Sequence, residues 1–314
     1  MSVPSVSCVI TSYRRDKKTV KRALDSILSQ TFTDYEIIIV DDNRGEGSAV
    51  LSGEIKTLEE TDERIRVIKT EGGHGAQHAR NTGIRHSAGR YVAFLDDDDE
   101  WLPEKLEKQV RTLEERPECA MCYTDGYRVN EKNAPGKREL IHASFFNPNL
   151  TFRELLHEDR IGSTSQAMIR RSVFDRVGYF DTDMPARQDY EMWLRISRVY
   201  PICGIGEGLY LYHLKHDEGQ ITRDWRKSVK AHLLLGEKYR DDIRGDRDAE
   251  FNVVFHVAHY YRRGFEREKT DRFSLLCKAV YYYIRSFFIS PSYFFKQVGY
   301  MIDMVKRKGG RRAA

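Results

Sequence analysis

Tyr91-Val92-Ala93-Phe94-Leu95-Asp96-Asp97-Asp98-Asp99-Glu100 passes from an apolar run straight into consecutive acids. An uninterrupted apolar run bounded by charge reads as a strand buried on both faces, the kind found inside a parallel sheet. Its neighbours along the chain repeat the theme. Ser5–Thr11, Glu36–Val40 and Arg64–Lys69 read as strands before it and Ala120–Tyr123 as a strand after it. Helical patterns fall between them: Lys17–Ser29 with Val20, Leu24, Ile27 and Leu28 on one face, a helix within Ala49–Glu60, one from Gly75 to about His86, and one to about Glu115 with Pro103 in its first turn. This alternation predicts βαβ units, hence an α/β fold with a Rossmann-like, mostly parallel twisted sheet. Beyond residue 125 the rhythm breaks into short mixed pieces, and from Trp225 long amphipathic helical patterns dominate.

The chain has 314 residues, 40% hydrophobic and 32% charged, which suits one large catalytic domain with an appendage and excludes a disordered or fibrous chain. A balance of 52 Lys+Arg against 48 Asp+Glu is too even for wholesale nucleic-acid binding. Basicity concentrates in 273–314, where eight basic side chains meet Asp303 as the sole acid; that segment carries +7 and the preceding 272 residues −3. Five cysteines spread from Cys8 to Cys277 make no disulfide framework and fit a reducing compartment. Cys119 and Cys122 form a CxxC, but no second pair or nearby His completes a zinc set, so a strand reading outweighs a metal or redox one. Met1-Ser2-Val3-Pro4 lacks a signal-like start, and no stretch reaches the ~18 apolar residues that span a bilayer, so the expected compartment is the cytosol.

In open α/β sheets, ligands bind beyond the carboxyl ends of the strands, where the winding reverses. Strand one leaves through Thr11-Ser12-Tyr13-Arg14-Arg15, strand two through Asp41-Asp42-Asn43, and the Tyr91 strand through the aspartates. Right-handed crossovers put strand one between the other two, so Tyr13 falls between Asp41 and the acidic cluster. An aromatic face, an isolated carboxylate and an anionic pole suit a nucleoside at one end and a metal diphosphate at the other. Adjacent carboxylates at the end of an apolar strand are costly without a cation, and hard oxygen ligands select Mg²⁺ or Mn²⁺. The plainer reading is an acidic turn before a helix, with Asp41 and Asp42 as caps and Tyr13 as a cover for the sheet edge. The coincidence of these polar exits on one crevice favours the ligand.

Gly72-Gly73-His74-Gly75 precedes a helix and offers backbone amides to a phosphate, though without P-loop or dinucleotide spacing. Arg80 on that helix suits a phosphate or the clustered carboxylates. In Arg187-Gln188-Asp189-Tyr190-Glu191-Met192-Trp193-Leu194-Arg195, Asp189 stands at a helix start after Pro185, as a functional carboxylate or as a cap. His213 and His216 follow the strand-like Leu209–Tyr212, with a crevice role and a structural role equally open. His256 and His259 read as helix-face residues.

As a set, these stretches resemble the GT-A-fold glycosyltransferases of family 2, which use nucleotide-diphosphate sugars. The resemblance rests on Val9-Ile10-Thr11-Ser12-Tyr13, Ile38-Ile39-Val40-Asp41-Asp42, Ala79-Arg80-Asn81-Thr82-Gly83, the run from Tyr91 through the aspartates to Trp101-Leu102-Pro103, and Gln188-Asp189-Tyr190-Glu191-Met192-Trp193-Leu194-Arg195, in that order across roughly 4–222. It implies that Thr11, Tyr13 and Asp41 hold base and ribose, with Arg80, Asp96 and Asp97 also on the donor. Asp96 and Asp98 would be the two acids of the DxD motif, the second on a Mn²⁺ or Mg²⁺ ion, and His216 would face the metal or diphosphate. Asp189 would be the general base of an inverting, single-displacement transfer; the family's Glu-Asp pair is Gln188-Asp189 here, so an accessory charge is missing. The implied donor is a nucleotide-diphosphate sugar, UDP-linked first, and the implied acceptor a saccharide or a lipid-linked one.

The expected division is a catalytic domain over 1–222, with a nucleotide-binding half over 1–125 and an acceptor half over 126–222, and a helical, basic-aromatic extension over 223–314. Ten aromatic residues lie between Phe273 and Tyr300, and the longest run free of charge, Ser286–Phe295, is too short to cross a bilayer. It suits a helix lying on the cytoplasmic membrane face, or one packing its aromatics on the core. Two other functions compete. A sugar-phosphate nucleotidyltransferase would want a glycine-rich basic loop where the chain has Thr11-Ser12-Tyr13-Arg14, and a non-catalytic sugar-nucleotide binder would retain the pocket alone.

Overall fold

The computed structural model describes residues 3–130, 134–141, 146–214 and 224–299. Its elements are β1 (Val6–Ser12), α1 (Lys17–Leu28), β2 (Tyr35–Asp41), α2 (Ser48–Lys56), β3 (Ile65–Lys69), α3 (Ala76–His86), β4 (Tyr91–Asp96), β5 (Glu100–Trp101), α4 (Lys105–Glu115), β6 (Met121–Asn130), β7 (Ala134–Leu140), β8 (Asn149–Leu150), α5 (Phe152–His157), β9 (Ala167–Arg170), α6 (Val173–Val177), α7 (Gln188–Val199), β10 (Ile202–His213), α8 (Trp225–Lys238), α9 (Arg240–Ile243), α10 (Arg247–Arg267) and α11 (Arg272–Ile289).

Among the described residues ten strands form one sheet in the order β3-β2-β1-β4-β9-β6-β10-β5, with β7 on β6 and β8 on β10. The β3-β2-β1-β4 half is parallel and has the expected order, β1 between β2 and β4. Beyond β4 the sheet is mixed: β9 enters antiparallel to both β4 and β6, and β10 runs parallel to β6. Thr11 pairs with Val40 on one side and Asp96 on the other, and Ser12 with Asp41, so three strands end level. That register sets the site.

Local chemistry explains the elements. Tyr91 to Leu95 are all buried, as a central strand requires. Asp16 caps α1 by accepting from Thr19 N at 2.7 Å, and Val20, Ala23, Leu24 and Ile27 are its buried face. Close approach of α3 to β1 needs Gly83, where a Cβ would lie 2.3 Å from Val9 Cγ1. Pro103 sits in the turn before α4 instead of in its first turn, and its carbonyl accepts from Thr31 N at 2.9 Å. Cys119 and Cys122 are buried free thiols in the core, and burial pushes Cys119 up to about 12, so this CxxC packs the sheet.

Two compact units make up the chain, divided by more than a single cut: Met1–Leu155, Asp159–Thr182 and Gln188–His216 form one, and Leu156–Glu158, Asp183–Arg187 and Asp217–Ala314 the other. In the second unit Asp224 and Asp246 cap α8 and α10. Asp246 also meets His157 Nε2 at 2.9 Å, and Asn252 Nδ2 donates to Leu156 O at 2.9 Å, which ties the short 156–158 segment to α10.

Candidate active site

β4 ends on Asp96, and Asp96–Asp99 form a turn closed by Asp99 N donating to Asp96 O at 3.0 Å. Each aspartate has a partner, and Asp97 and Asp98 share one, Arg15. Asp96 Oδ1 accepts from Arg80 Nη2 at 2.7 Å and from Thr164 Oγ1 at 3.3 Å, and its Oδ2 from Ser163 Oγ at 3.4 Å. Asp97 takes Arg15 Nε at 3.1 Å and Tyr13 N at 3.4 Å, and Asp98 takes Arg15 Nη2 at 2.9 Å. Ser165 Oγ donates to Asp99 Oδ2 at 2.6 Å, and the His213 backbone also lies against the buried Asp99 carboxylate. Burial, then the Asp98 charge, pushes Asp97 up to about 7 against the pull of Arg15. Asp99 is raised for the same first reason, with Asp96 and Asp98 adding to it. The cation that the sequence demands for this cluster is thus present as two guanidinium groups.

The exits of β1 and β2 are joined to each other and to this turn. Arg14 adopts a left-handed conformation (φ 53°), and its N donates to Asn43 Oδ1 at 2.5 Å. Asn43 in turn donates through N and Nδ2 to Asp41 Oδ1, at 3.0 and 2.7 Å, which fixes the buried Asp41 carboxylate. Thr11 is half-buried, and Tyr13 is exposed with the Arg14 guanidinium 5.2 Å from its ring centre. The glycine loop is a latch and not a free cradle. Gly73 N donates to Asp42 O at 2.9 Å, Gly75 N to Asp42 Oδ2 at 3.2 Å and Gly72 N to Thr70 Oγ1 at 2.9 Å, so these amides are already used.

Arg80 is buried on α3, and beyond Asp96 its Nε and Nη1 have no hydrogen-bond partner. Buried unpartnered guanidinium donors are expensive and suit an anion. The Arg80 guanidinium also lies 5.8 Å from the Phe180 ring centre, and Phe180 packs edge-on against Phe94 of β4 and Trp193 of α7. Asn81 holds the Phe180 backbone at both N and O, each at 2.8 Å. Trp193 Nε1 donates to Gly162 O at 3.3 Å, in the loop whose Ser163 and Thr164 touch Asp96.

Of the two acids that open α7, Glu191 is fully buried and bound by Arg195 through Nε at 2.9 and 3.0 Å; Arg195 Nη2 also holds Tyr179 O at 2.7 Å. Glu191 is therefore spent on positioning the Phe180 loop. Asp189, half-buried at the helix start, accepts from Tyr190 N at 2.8 Å. His213 Nε2 lies 2.6 Å from Glu100 Oε1, beside the turn, and His216 falls outside the described residues. A depression of about 670 Å³ lies elsewhere, over α1, lined by Lys18, Lys21, Arg22, Asp25 and Glu100 among others, and takes in none of Thr11, Asp41 or Asp96.

Sequence reasoning missed Arg15 as the partner of Asp97 and Asp98, and the Ser163-Thr164-Ser165 run on the far side of Asp96. A signal was present for the second: small hydroxyl residues directly before the apolar Ala167-Met168-Ile169. Among the described residues no three His, Cys, Asp or Glu side chains are gathered as metal ligands. The hard oxygens of Asp96 and Asp98 nonetheless fit Mg²⁺ or Mn²⁺, which commonly take one or two carboxylates and complete their shells with water and substrate phosphates.

A parallel β3-β2-β1-β4 half continued by a mixed half, with an acid turn at the exit of β4, is the GT-A glycosyltransferase fold. The chain belongs to glycosyl transferase family 2, whose match covers residues 7–178. The glycosyltransferase named TuaG of Bacillus subtilis (strain 168) is 32% identical over 235 residues, 74% of this chain and 88% of the relative. The UDP-Glc:alpha-D-GlcNAc-diphosphoundecaprenol beta-1,3-glucosyltransferase WfgD of Escherichia coli is 27% identical over 268 residues, 85% of this chain and 96% of the relative. Among solved structures, S. aureus TarS 1-349 in complex with UDP-GlcNAc aligns with a TM-score of 0.61 at 16% identity, over 92% of this chain and 82% of that one. The mannosyltransferase PcManGT from Pyrobaculum calidifontis in complex with GDP-Man and Mn²⁺ aligns at 0.55 and 17% identity, over 92% and 73%. The chain is a glycosyltransferase.

Proposed function

We propose that this glycosyltransferase moves a sugar from a UDP-sugar to an acceptor hydroxyl with inversion, assisted by Mn²⁺ or Mg²⁺. The observation that carries the reading is the joining of the three strand exits into one polar face: Asn43 bridges β2 to β1, Arg15 bridges β1 to the acid turn, and Arg80 presents two unpartnered nitrogens, Nε and Nη1, beside Asp96. Thr11, Tyr13 and Asp41 form its base-and-ribose side. Asp96, Asp97 and Arg80 form its diphosphate side. UDP comes first because TarS was crystallised with UDP-GlcNAc and WfgD is named for UDP-Glc.

Asp98 and Asp96 would hold the divalent ion, with His216 as a further ligand; when bound, such an ion offsets the negative charge that grows on a departing diphosphate. Asp189 takes the proton of the acceptor hydroxyl. The freed oxygen forms its bond to the anomeric carbon from the face opposite the nucleotide, and the carbon–oxygen bond to the β-phosphate breaks with its electron pair leaving on the nucleoside diphosphate. Arg80 donates its free N–H groups to that leaving group. A second carboxylate acting as acid is unnecessary, because the diphosphate leaves unprotonated. The acceptor is read as a saccharide, lipid-linked first because WfgD is named for a diphosphoundecaprenol-linked one.

Thermal melts with UDP, GDP and dTDP, each with and without Mn²⁺, test the donor side: UDP should raise Tm most, and more with the metal. Asp189→Asn should keep that shift while transfer falls by about 10²–10⁴-fold. No stabilisation by any nucleotide, or wild-type transfer in the variant, would refute the reading.

A further inference from the structure

α11 reverses the usual pattern of a surface helix. Leu275, Ala279 and Ser286 are its buried residues, and ring contacts Phe255–Tyr283 (5.6 Å) and Tyr261–Tyr282 (5.7 Å) join it to α10. Phe273, Leu276, Val280, Tyr281, Ile284 and Phe288 are all exposed, Phe273 at 81% and Phe288 at 73%. Their three- and four-residue spacing sets them on one side of the helix through its whole length. A single exposed leucine needs no explanation, but a continuous apolar stripe on a solvent-facing helix does.

The charge around the stripe is one-sided. From Arg272 to Gly299 the sequence has no acid, and Arg272, Lys278, Arg285 and Lys296 are its cations. Arg285 is engaged with Glu250 at 3.2 Å, so the positive charge of the described segment comes chiefly from Arg272, Lys278 and Lys296. No helix among the described residues is long and apolar enough to cross a membrane. A second copy of the same face would bring these cations against one another, with acids only at its margin: Asp271 before the helix, and Glu250, which Arg285 already holds.

We propose that the exposed side of α11 lies in the plane of an anionic lipid bilayer, its apolar stripe at the headgroup–acyl boundary and the surrounding lysines and arginines on the headgroups. The lipid-linked acceptor gives this contact its purpose. Vesicle binding needs neither donor nor acceptor, so its failure and the failure of the transferase reading are seen separately.

The test is sedimentation of the full chain with phosphatidylcholine vesicles, plain or containing about one-third phosphatidylglycerol. The chain should pellet with the anionic vesicles and be released as salt rises from about 0.1 M to about 1 M, where the Debye length falls from about 10 Å to about 3 Å. Ile284→Ser with Phe288→Ser should weaken partitioning about tenfold or more while leaving Tm and the UDP-induced shift in place. Should that pair lose its melting transition, Phe273→Glu at the first turn of the helix carries the same expectation. A chain that stays in the supernatant with anionic vesicles at low salt overturns the proposal, as does a folded variant that binds like the wild type. A wild-type dimer that the double variant converts to monomer, without vesicle binding, also overturns it and assigns the face to a second copy.

Discussion

Each compact unit buries a cluster of like titratable groups, and the clusters are resolved in opposite ways. At the end of β4 the aspartates are answered by Arg15, Arg80 and Ser165, and the turn keeps an opening, with the Asp96 side chain 32% exposed. In the helical unit, His232 and His256 stack at 5.0 Å, with His232 Nδ1 2.8 Å from Ser228 O. Burial, then the charge of Arg187, pushes His232 down to about 3, and burial with His232 drives His256 down as well. These imidazoles are neutral and serve as aromatic filling. Burial of ionisable groups therefore does not mark a site. What distinguishes the acid turn is that two of its partners, Arg15 and Arg80, are ions.

The sharpest way to break this contrast is pH. Asp97 has a folded pKa raised from the ordinary carboxylate range to about 7, so between those values the folded chain holds a proton that the unfolded chain releases. Its contribution to stability is complete in acid and is lost as pH rises through about 7. The histidines have the reverse sign: with folded values below the ordinary ~6.5, their contribution is complete above that and is lost as pH falls toward the folded pKa. Asp97→Asn should thus gain about 2–3 kcal/mol on the wild type between pH 5 and pH 8. His256→Phe should gain about 1–2 kcal/mol in the other direction, between pH 7 and pH 5. Urea midpoints across the pH range in metal-free buffer measure both, and parallel profiles for the two variants would dissolve the distinction.

A smaller effect probes the acid turn alone. Ser165 Oγ donates to Asp99 Oδ2 at 2.6 Å and accepts from Asp96 N at 3.1 Å. Ser165→Ala strands both groups and should lower unfolding free energy by about 1–2 kcal/mol. A variant as stable as the wild type would show that water or the turn itself can satisfy them.

How far the site is legible follows from the same contrast. The exits of β1, β2 and β4 can be read because each apolar run ends abruptly on polar residues, and crossover handedness then orders them. The far wall cannot. Ser163 and Thr164 reach Asp96 only because the short β9 slots antiparallel between β4 and β6, a long-range pairing with no local signature. Nor does a local rule forecast the left-handed turn at Arg14, directly before the arginine that meets Asp97 and Asp98. Gly204 and Gly208 would read as breaks in β10, yet they are needed there, since a Cβ would meet the Tyr123 and Tyr127 rings at 2.7 and 2.4 Å. In the helical unit, capping aspartates and apolar spacing make the helices legible. Which side of α11 stays uncovered depends on tertiary packing.

Arg15 gives the finest test, because it separates a replaceable ion from a structural one. Its guanidinium spans Asp97 at 3.1 Å and Asp98 at 2.9 Å, so a divalent ion arriving at Asp98 competes with a charge already there. If the pair is replaceable, Arg15→Gln should bind Mn²⁺ about 3–10-fold more tightly in the absence of nucleotide, the gain expected when one partly exposed ion pair need not be broken first. Arg15→Lys keeps the charge and should stay near the wild type. Calorimetric titration of the nucleotide-free protein reads this directly, without reference to transfer. Weaker Mn²⁺ binding in Arg15→Gln would mean that the arginine holds the turn in shape, like the backbone partner of His232; equal binding would place the ion away from Asp98.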